Sequence, residues 1–146
     1  MLTRPLLSTV PYIWLEDEAL DRSDAEAFAR AWREYLRLGD IAQLPLKPGH
    51  TPAVFTLRPL TRKQILHAAN IQGLAADAEV IAYSLVGLSG LTVGERPVTL
   101  EFTKTPLGDR LSERCLDEIF DMALFQDLAA RAVEISRLDF RLGKAS

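Results

Sequence analysis

The spacing of hydrophobic residues changes several times along this chain, and each change marks an element. Residues 10 to 16, VPYIWLE, are aromatic and β-branched and predict a short strand, which Pro11 confines to a sheet edge or to the strand's first residues. From Ser23 the period lengthens. Phe28, Ala31, Trp32, Tyr35 and Leu36 recur at three- and four-residue spacing, Ser23 with Glu26 reads as a capping box, and Gly39 stands where a C-terminal cap belongs, so a helix is predicted over 23–38. Between 40 and 52, Pro45, Pro48, Gly49 and Pro52 predict a stiff, extended connector over the surface, leading to the main helical part.

In AVFTLR (53–58) Phe55 and Leu57 fall on one side and Thr56 and Arg58 on the other, the pattern of a strand with one covered face. Pro59 ends it. Thr61 and Gln64 then form a capping box, and Leu60 with Ile65 occupies the two positions of a hydrophobic staple. This predicts strand, tight corner and helix, the helix carrying Ile65, Leu66, Ala68 and Ala69 before Gly73. The next stretch, DAEVIAYSLVGLSGL (77–91), is apolar nearly all round and predicts a second helix at the centre of the core. In PVTLEF (97–102), Val98, Leu100 and Phe102 alternate with polar residues, which predicts a strand in one small sheet with 53–58 and 10–16.

The last segment runs from Leu111 to Phe140 with Ser112 as N-cap and no Gly or Pro before Gly143. One helix of that span would be about 42 Å long, longer than a compact domain of this size is wide, so either it breaks or one end projects. Its stripes support a change of face. Glu113, Asp117 and Asp121 mark one wet side that continues as Leu124, Phe125 and Leu128, while Asp127, Arg131 and Glu134 mark another. Two readings stay open: a kink near Leu124 that buries both halves in the chain's own core, or an apolar side that packs on another protein. The fold class expected is α+β, a helix-rich single domain over 1–146 with about four helices and a two- to three-stranded antiparallel sheet.

Composition narrows the chemistry. The 146 residues are 48% hydrophobic and 25% charged, which suits one folded domain rather than a disordered chain. The net charge of −3, with basic residues scattered among acids, offers no footprint for a phosphate backbone, so nucleic-acid binding is not expected. A single cysteine, Cys115, and two histidines cannot make a structural zinc set or an internal disulfide, so a reducing cytoplasmic setting is expected. Pro5 and Pro11 interrupt the N-terminal apolar run, and neither a signal peptide nor a membrane span is expected.

No catalytic signature survives inspection. VGLSGL departs from the nucleophile elbow, because its second glycine is Gly90 and position 91 is Leu; Gly87 and Gly90 read instead as close-packing or helix-ending residues. His67 has no acid placed beside it in sequence, His50 follows Pro48 and Gly49 in a loop, and Cys115, in the first turn of the last helix, has no base nearby. The acids Glu16, Asp17, Glu18, Asp21 and Asp24 lack calcium-loop spacing and read as a solvated lead into a helix N-terminus. Arg58, Arg62 and Lys63 form a small basic group at the corner, either a solvated rim or a hold on an acidic partner.

The N-terminal aromatic strand, VFTLRPLTRKQ and the helical remainder through LDEIFDMALFQDLAARAVEIS together resemble the small tail assembly chaperones and related minor proteins of tailed phages and prophages. In that family a short F-x-L/I-R-P-L-T/S strand and corner precedes a helical domain; the matching residues here are Phe55, Leu57, Arg58, Pro59, Leu60 and Thr61, and the likeness covers residues 50 to 140. The helix over 23–38 and the proline connector have no counterpart in it. The resemblance implies a non-enzymatic protein, without cofactor or metal, that binds an unassembled tail component such as the tape measure or tube protein in the host cytoplasm, with self-association into a homo-oligomer as a second mode. The alternative is a small structural subunit kept in the finished virion. Under either, Leu124, Phe125 and Leu128, with Arg58, Arg62 and Lys63, are the expected contact residues.

Overall fold

The computed structural model describes residues 9–119 and 121–145, with side chains to Arg137. It is an α+β fold whose main sheet has the antiparallel order β1 (Val10–Tyr12), β2 (Val54–Leu57), β3 (Leu85–Ser89). Val10 pairs with Leu57 and Tyr12 with Phe55, and β2 continues the ladder to Leu88 and Gly87 of β3 before a bulge at Thr56 and Leu57. The alternation read in β2 holds, since Phe55 and Leu57 are buried and Thr56 between them is not.

The third strand is not the one expected. Residues 77–91 are helical only to the end of α3 (Leu74–Ser84), after which the chain turns directly into β3. Two features of β2 stop the helix. Arg58 donates its N–H to the Ser84 carbonyl at 2.8 Å, and the Ser84 hydroxyl donates to the Arg58 carbonyl at 2.7 Å, so the groups that would have extended the helix are taken by the sheet. Gly87 then allows the strands to meet, because a Cβ there would stand 3.1 Å from the Thr56 Cβ. Gly90, at φ 78°, passes so near the Pro52 carbonyl that a side chain would overlap it.

Residues 98–101, expected as strand, form instead a loop pinned by Cys115. The thiol donates to the Thr99 carbonyl and accepts from the Glu101 N–H, both at 3.3 Å, which supplies the backbone partners that a ladder would have given. Short hairpins flank this loop, β4 (Thr92–Val93) with β5 (Arg96–Pro97) and β6 (Phe102–Thr105) with β7 (Gly108–Leu111). Phe102, expected on a covered face, is 42% exposed.

Helix α1 (Ala25–Leu38) begins one residue later than the Ser23 box implies, because Asp24 is the N-cap and accepts from the Ala27 N–H; Gly39 closes it with a left-handed φ of 71°, as its position predicts. Tyr35, Ile13, Leu20 and Leu44 make a small core of their own under this helix. The connector is tied down through that core by Leu44, by a short 3-10 turn at Ile41–Gln43 and by an antiparallel bridge from Leu46 to Leu20.

Helix α2 (Arg62–Ala69) carries the predicted capping box, with Thr61 Oγ1 and Gln64 Oε1 each accepting the other residue's N–H. Its inward face differs from the apolar reading. Gln64 and Ala68 are buried while Ile65 and Leu66 are exposed, because the Gln64 amide is drawn in to donate to the Leu107 carbonyl at 2.7 Å.

The terminal segment breaks into α4 (Glu113–Glu118) and α5 (Met122–Ala145). Asp121 restarts it as an N-cap, its carboxylate accepting from the N–H groups of Ala123 and Leu124. Of the two readings of its stripes, the buried one is observed. Leu124, Phe125 and Leu128 are 6%, 4% and 0% exposed and lie in the main core with Leu57, Ile81 and Leu85, so the expectation that they form a contact surface is corrected: the restart at Asp121 turns that stripe inward. Among the described residues no helix is long and apolar enough to cross a membrane.

Burial of Phe125 fixes the outcome of changing it. Phe125→Ala is expected to cost about 3–5 kcal/mol, read as a lowered urea midpoint, and Phe125→Asp to abolish the cooperative transition. A Phe125→Asp protein with an unchanged midpoint and circular dichroism spectrum would return this residue to the surface.

Candidate functional site

The basic corner separates on folding. Arg58 is committed to structure, its Nε–H donating to the Tyr83 carbonyl at 3.2 Å beside the two backbone bonds to Ser84. Arg62 and Lys63 are exposed on the first turn of α2. The three aspartates of the N-terminal segment are likewise used by the backbone: Asp17 accepts from Ala19 and Ala53, Asp21 from Ser23, and Asp24 caps α1. Among the described residues no group of three or more His, Cys, Asp or Glu side chains is arranged to hold a metal ion.

His67 does have an acid beside it, supplied from α3 and invisible in the local sequence. Its Nε2 lies 3.2 Å from Glu79 Oε2. Arg110 of β7 completes the group, with Nη2 2.7 Å from Glu79 Oε1 and 2.8 Å from Glu113 Oε1. Hydrogen bonding to Arg110 outweighs the effect of burial and holds the Glu79 carboxyl below the usual range, and Glu79 in turn keeps the Arg110 guanidinium firmly charged. The His67 ring meets Tyr83 edge-on at 6.1 Å, and the Tyr83 hydroxyl is 3.2 Å from Thr105 Oγ1. Both Glu79 oxygens have partners, and the Thr105 hydroxyl donates to the Gly108 carbonyl, so this group joins α2 and α3 to the β6–β7 hairpin with its protons already engaged. Cys115 is similarly occupied and fully buried.

The opposite side of the α2–α3 pair is open. A cleft of about 300 Å³ lies between α2, α3 and α5. The buried Leu60 and Val80, with Val133, give it an apolar base; Ala68, Ala69 and Ala76 leave the space; Ile65 stands at its side. Leu66 and Leu74, on the same two helices, are 54% and 43% exposed. Of its polar lining, Ser136 is saturated, accepting from the Leu60 N–H at 2.8 Å and donating to the Ala132 carbonyl at 2.6 Å. Asp77 is different. It is partly buried, its carboxylate makes no hydrogen bond or ion pair among the described residues, and that carboxyl is raised by desolvation. Arg137 lines the cleft from α5. Sequence reading missed this feature because alanines at helical spacing look the same whether they pack against a neighbour or leave a gap.

The Glu79 pair predicts a pH dependence. A carboxyl depressed in the fold stabilises it above the ordinary glutamate range, and that contribution is lost as pH falls through the lower, folded value. Glu79→Gln is therefore expected to lower stability at pH 7 by about 1.5 kcal/mol, with the gap to the parent protein closing under acid conditions in urea titrations. A gap that stayed constant with pH would show that the carboxylate charge is not what Arg110 and His67 use.

Comparison with protein-family models, curated proteins and solved structures finds no match to this chain.

Proposed function

We propose that this chain is a non-enzymatic binding protein that holds a segment of another protein in the cleft between α2, α3 and α5, and that it serves the assembly of a phage tail. The cleft carries the first half of this reading. It is largely apolar and open, with the exposed Ile65 of α2 in its lining, uncovered apolar surface of the kind that partner-binding grooves present. The second half rests on the resemblance of Phe55 to Thr61 to the strand and corner of tail assembly chaperones. On this reading the partner is an unassembled tail component, the tape measure or tube protein, met in the host cytoplasm. Covering an apolar segment of that component before it enters the growing tail would prevent premature aggregation.

The corner supports the role mechanically. Thr61 caps α2 and Leu60 is anchored to Ser136, so one wall and the base of the cleft are fixed before a partner arrives. Such pre-organisation favours affinity because little ordering remains to be done on binding.

The test fills the cleft. Ala69 is exposed on α2, so Ala69→Trp should fold normally and block the space. Co-expressed with the tape measure or tube protein, the parent chain is expected to co-purify with one of them and the variant to lose at least about tenfold in yield of the complex. Equal co-purification by Ala69→Trp and Ala76→Trp proteins would remove the cleft from the reading; no association with either component would remove the tail role.

A further inference from the structure

We infer that the segment received by the cleft is a basic amphipathic helix, with its apolar ridge against the alanines and a Lys or Arg side chain at Asp77. This rests on the cleft being a binding site and names the chemistry of its occupant.

The helical form follows from what the walls offer. All three are helices, whose backbone N–H and C=O groups are paired along their length, so the cleft has no free sheet edge for an extended peptide to join. An occupant must satisfy its own backbone, which a helix does. Ala68, Ala69 and Ala76 also suit it, because small residues allow another helix to approach to the 8–10 Å typical of packed helices.

The charge follows from Asp77. Its carboxylate lies partly buried beside Ala76 and Val80 in an otherwise apolar wall, and no cation within the described residues pairs with it. The groups that line the cleft from α2 carry no charge, and the one from α5 that does, Arg137, is exposed and makes no ion pair with Asp77. Covering this carboxylate with an apolar or acidic helix would remove water without supplying a counter-charge, whereas a Lys or Arg would pair with it. The chain's net charge of −3 favours approach of the same class of partner.

The test uses two labelled synthetic helical peptides with the same leucine face, one with lysines and one with glutamates on the polar face. By fluorescence anisotropy the lysine peptide is expected to bind at least about tenfold more tightly. Asp77→Asn should reduce that preference to within about threefold and Asp77→Lys should invert it, each variant retaining the parent's melting transition. Ala69→Trp should abolish binding of both peptides. Equal affinities in the parent protein, or a preference unchanged in Asp77→Asn, would overturn the basic occupant; if Ala69→Trp still blocked both peptides, the cleft would stand as a binding site without this specificity. Absence of binding by either peptide would overturn the inference, and binding that Ala69→Trp leaves intact would overturn the cleft as well.

Discussion

At Arg58 the end of β2 meets the end of α3, and two hydrogen bonds running in opposite directions join them through Ser84. Ser84 is wholly buried, so either bond broken would leave polar groups unpaired away from water, at about 1–3 kcal/mol each. This exchange decides several things together. It ends α3, it launches β3 along β2, and it holds the chain in place for the corner at Pro59. Two residues later Leu60 donates to Ser136 on α5, and Thr61 then caps α2. Sheet, central helix, terminal helix and α2 thus share one junction, and the positions of the cleft walls follow from it.

The N-terminal unit is attached at a different place and by different means. Tyr35 accepts the Ile13 N–H and donates to the Pro11 carbonyl, which holds α1 against β1. Arg131 of α5 reaches across to this unit, 5% exposed, donating to the Leu36 carbonyl at 3.4 Å and lying 6.0 Å over the Tyr35 ring, while Trp14 donates to Asp127. One face of α5 is therefore used up by the small core and another by the main core. Between these faces, the partly buried Val133 and the exposed Arg137 line the cleft.

The parts of the fold legible in the sequence were those specified by local chemistry. Gly39 ends α1, Thr61 and Gln64 open α2, Ser112 opens α4, and the alternation in Phe55 and Leu57 places β2. Where long-range contacts decide, local pattern misled. Residues 77–91 are apolar throughout, and nothing in their periodicity marks the switch at Ser84, which is imposed by Arg58 from 26 positions away. The alternation of 97–102 has the right period for a strand, yet Cys115 rather than a neighbouring strand takes its backbone groups. Asp121 fits the period of a wet stripe, yet it is the cap that breaks the helix, since an aspartate serves either use. The site fared worse than the fold: Leu124, Phe125 and Leu128 went inward, and the cleft rests on alanines whose role depends on what stands opposite them.

Two acids on α3, Asp77 and Glu79, show how the chain treats its own electrostatics. Two positions apart on a helix, they point to different sides. Glu79 faces the hairpin, where Arg110 and His67 satisfy both oxygens and its carboxyl falls below the ordinary range. Asp77 faces the cleft, where desolvation raises its carboxyl and no cation among the described residues pairs with it. Larger side chains at Ala69 and Ala76 would fill the cleft, a kind of substitution that commonly stabilises a protein, whereas Asp77 stands in the first turn of α3, where the helix dipole favours its charge although no cation among the described residues pairs with it. An unfilled apolar space and an unpaired carboxylate in the same wall are two local costs that a single bound helix relieves together.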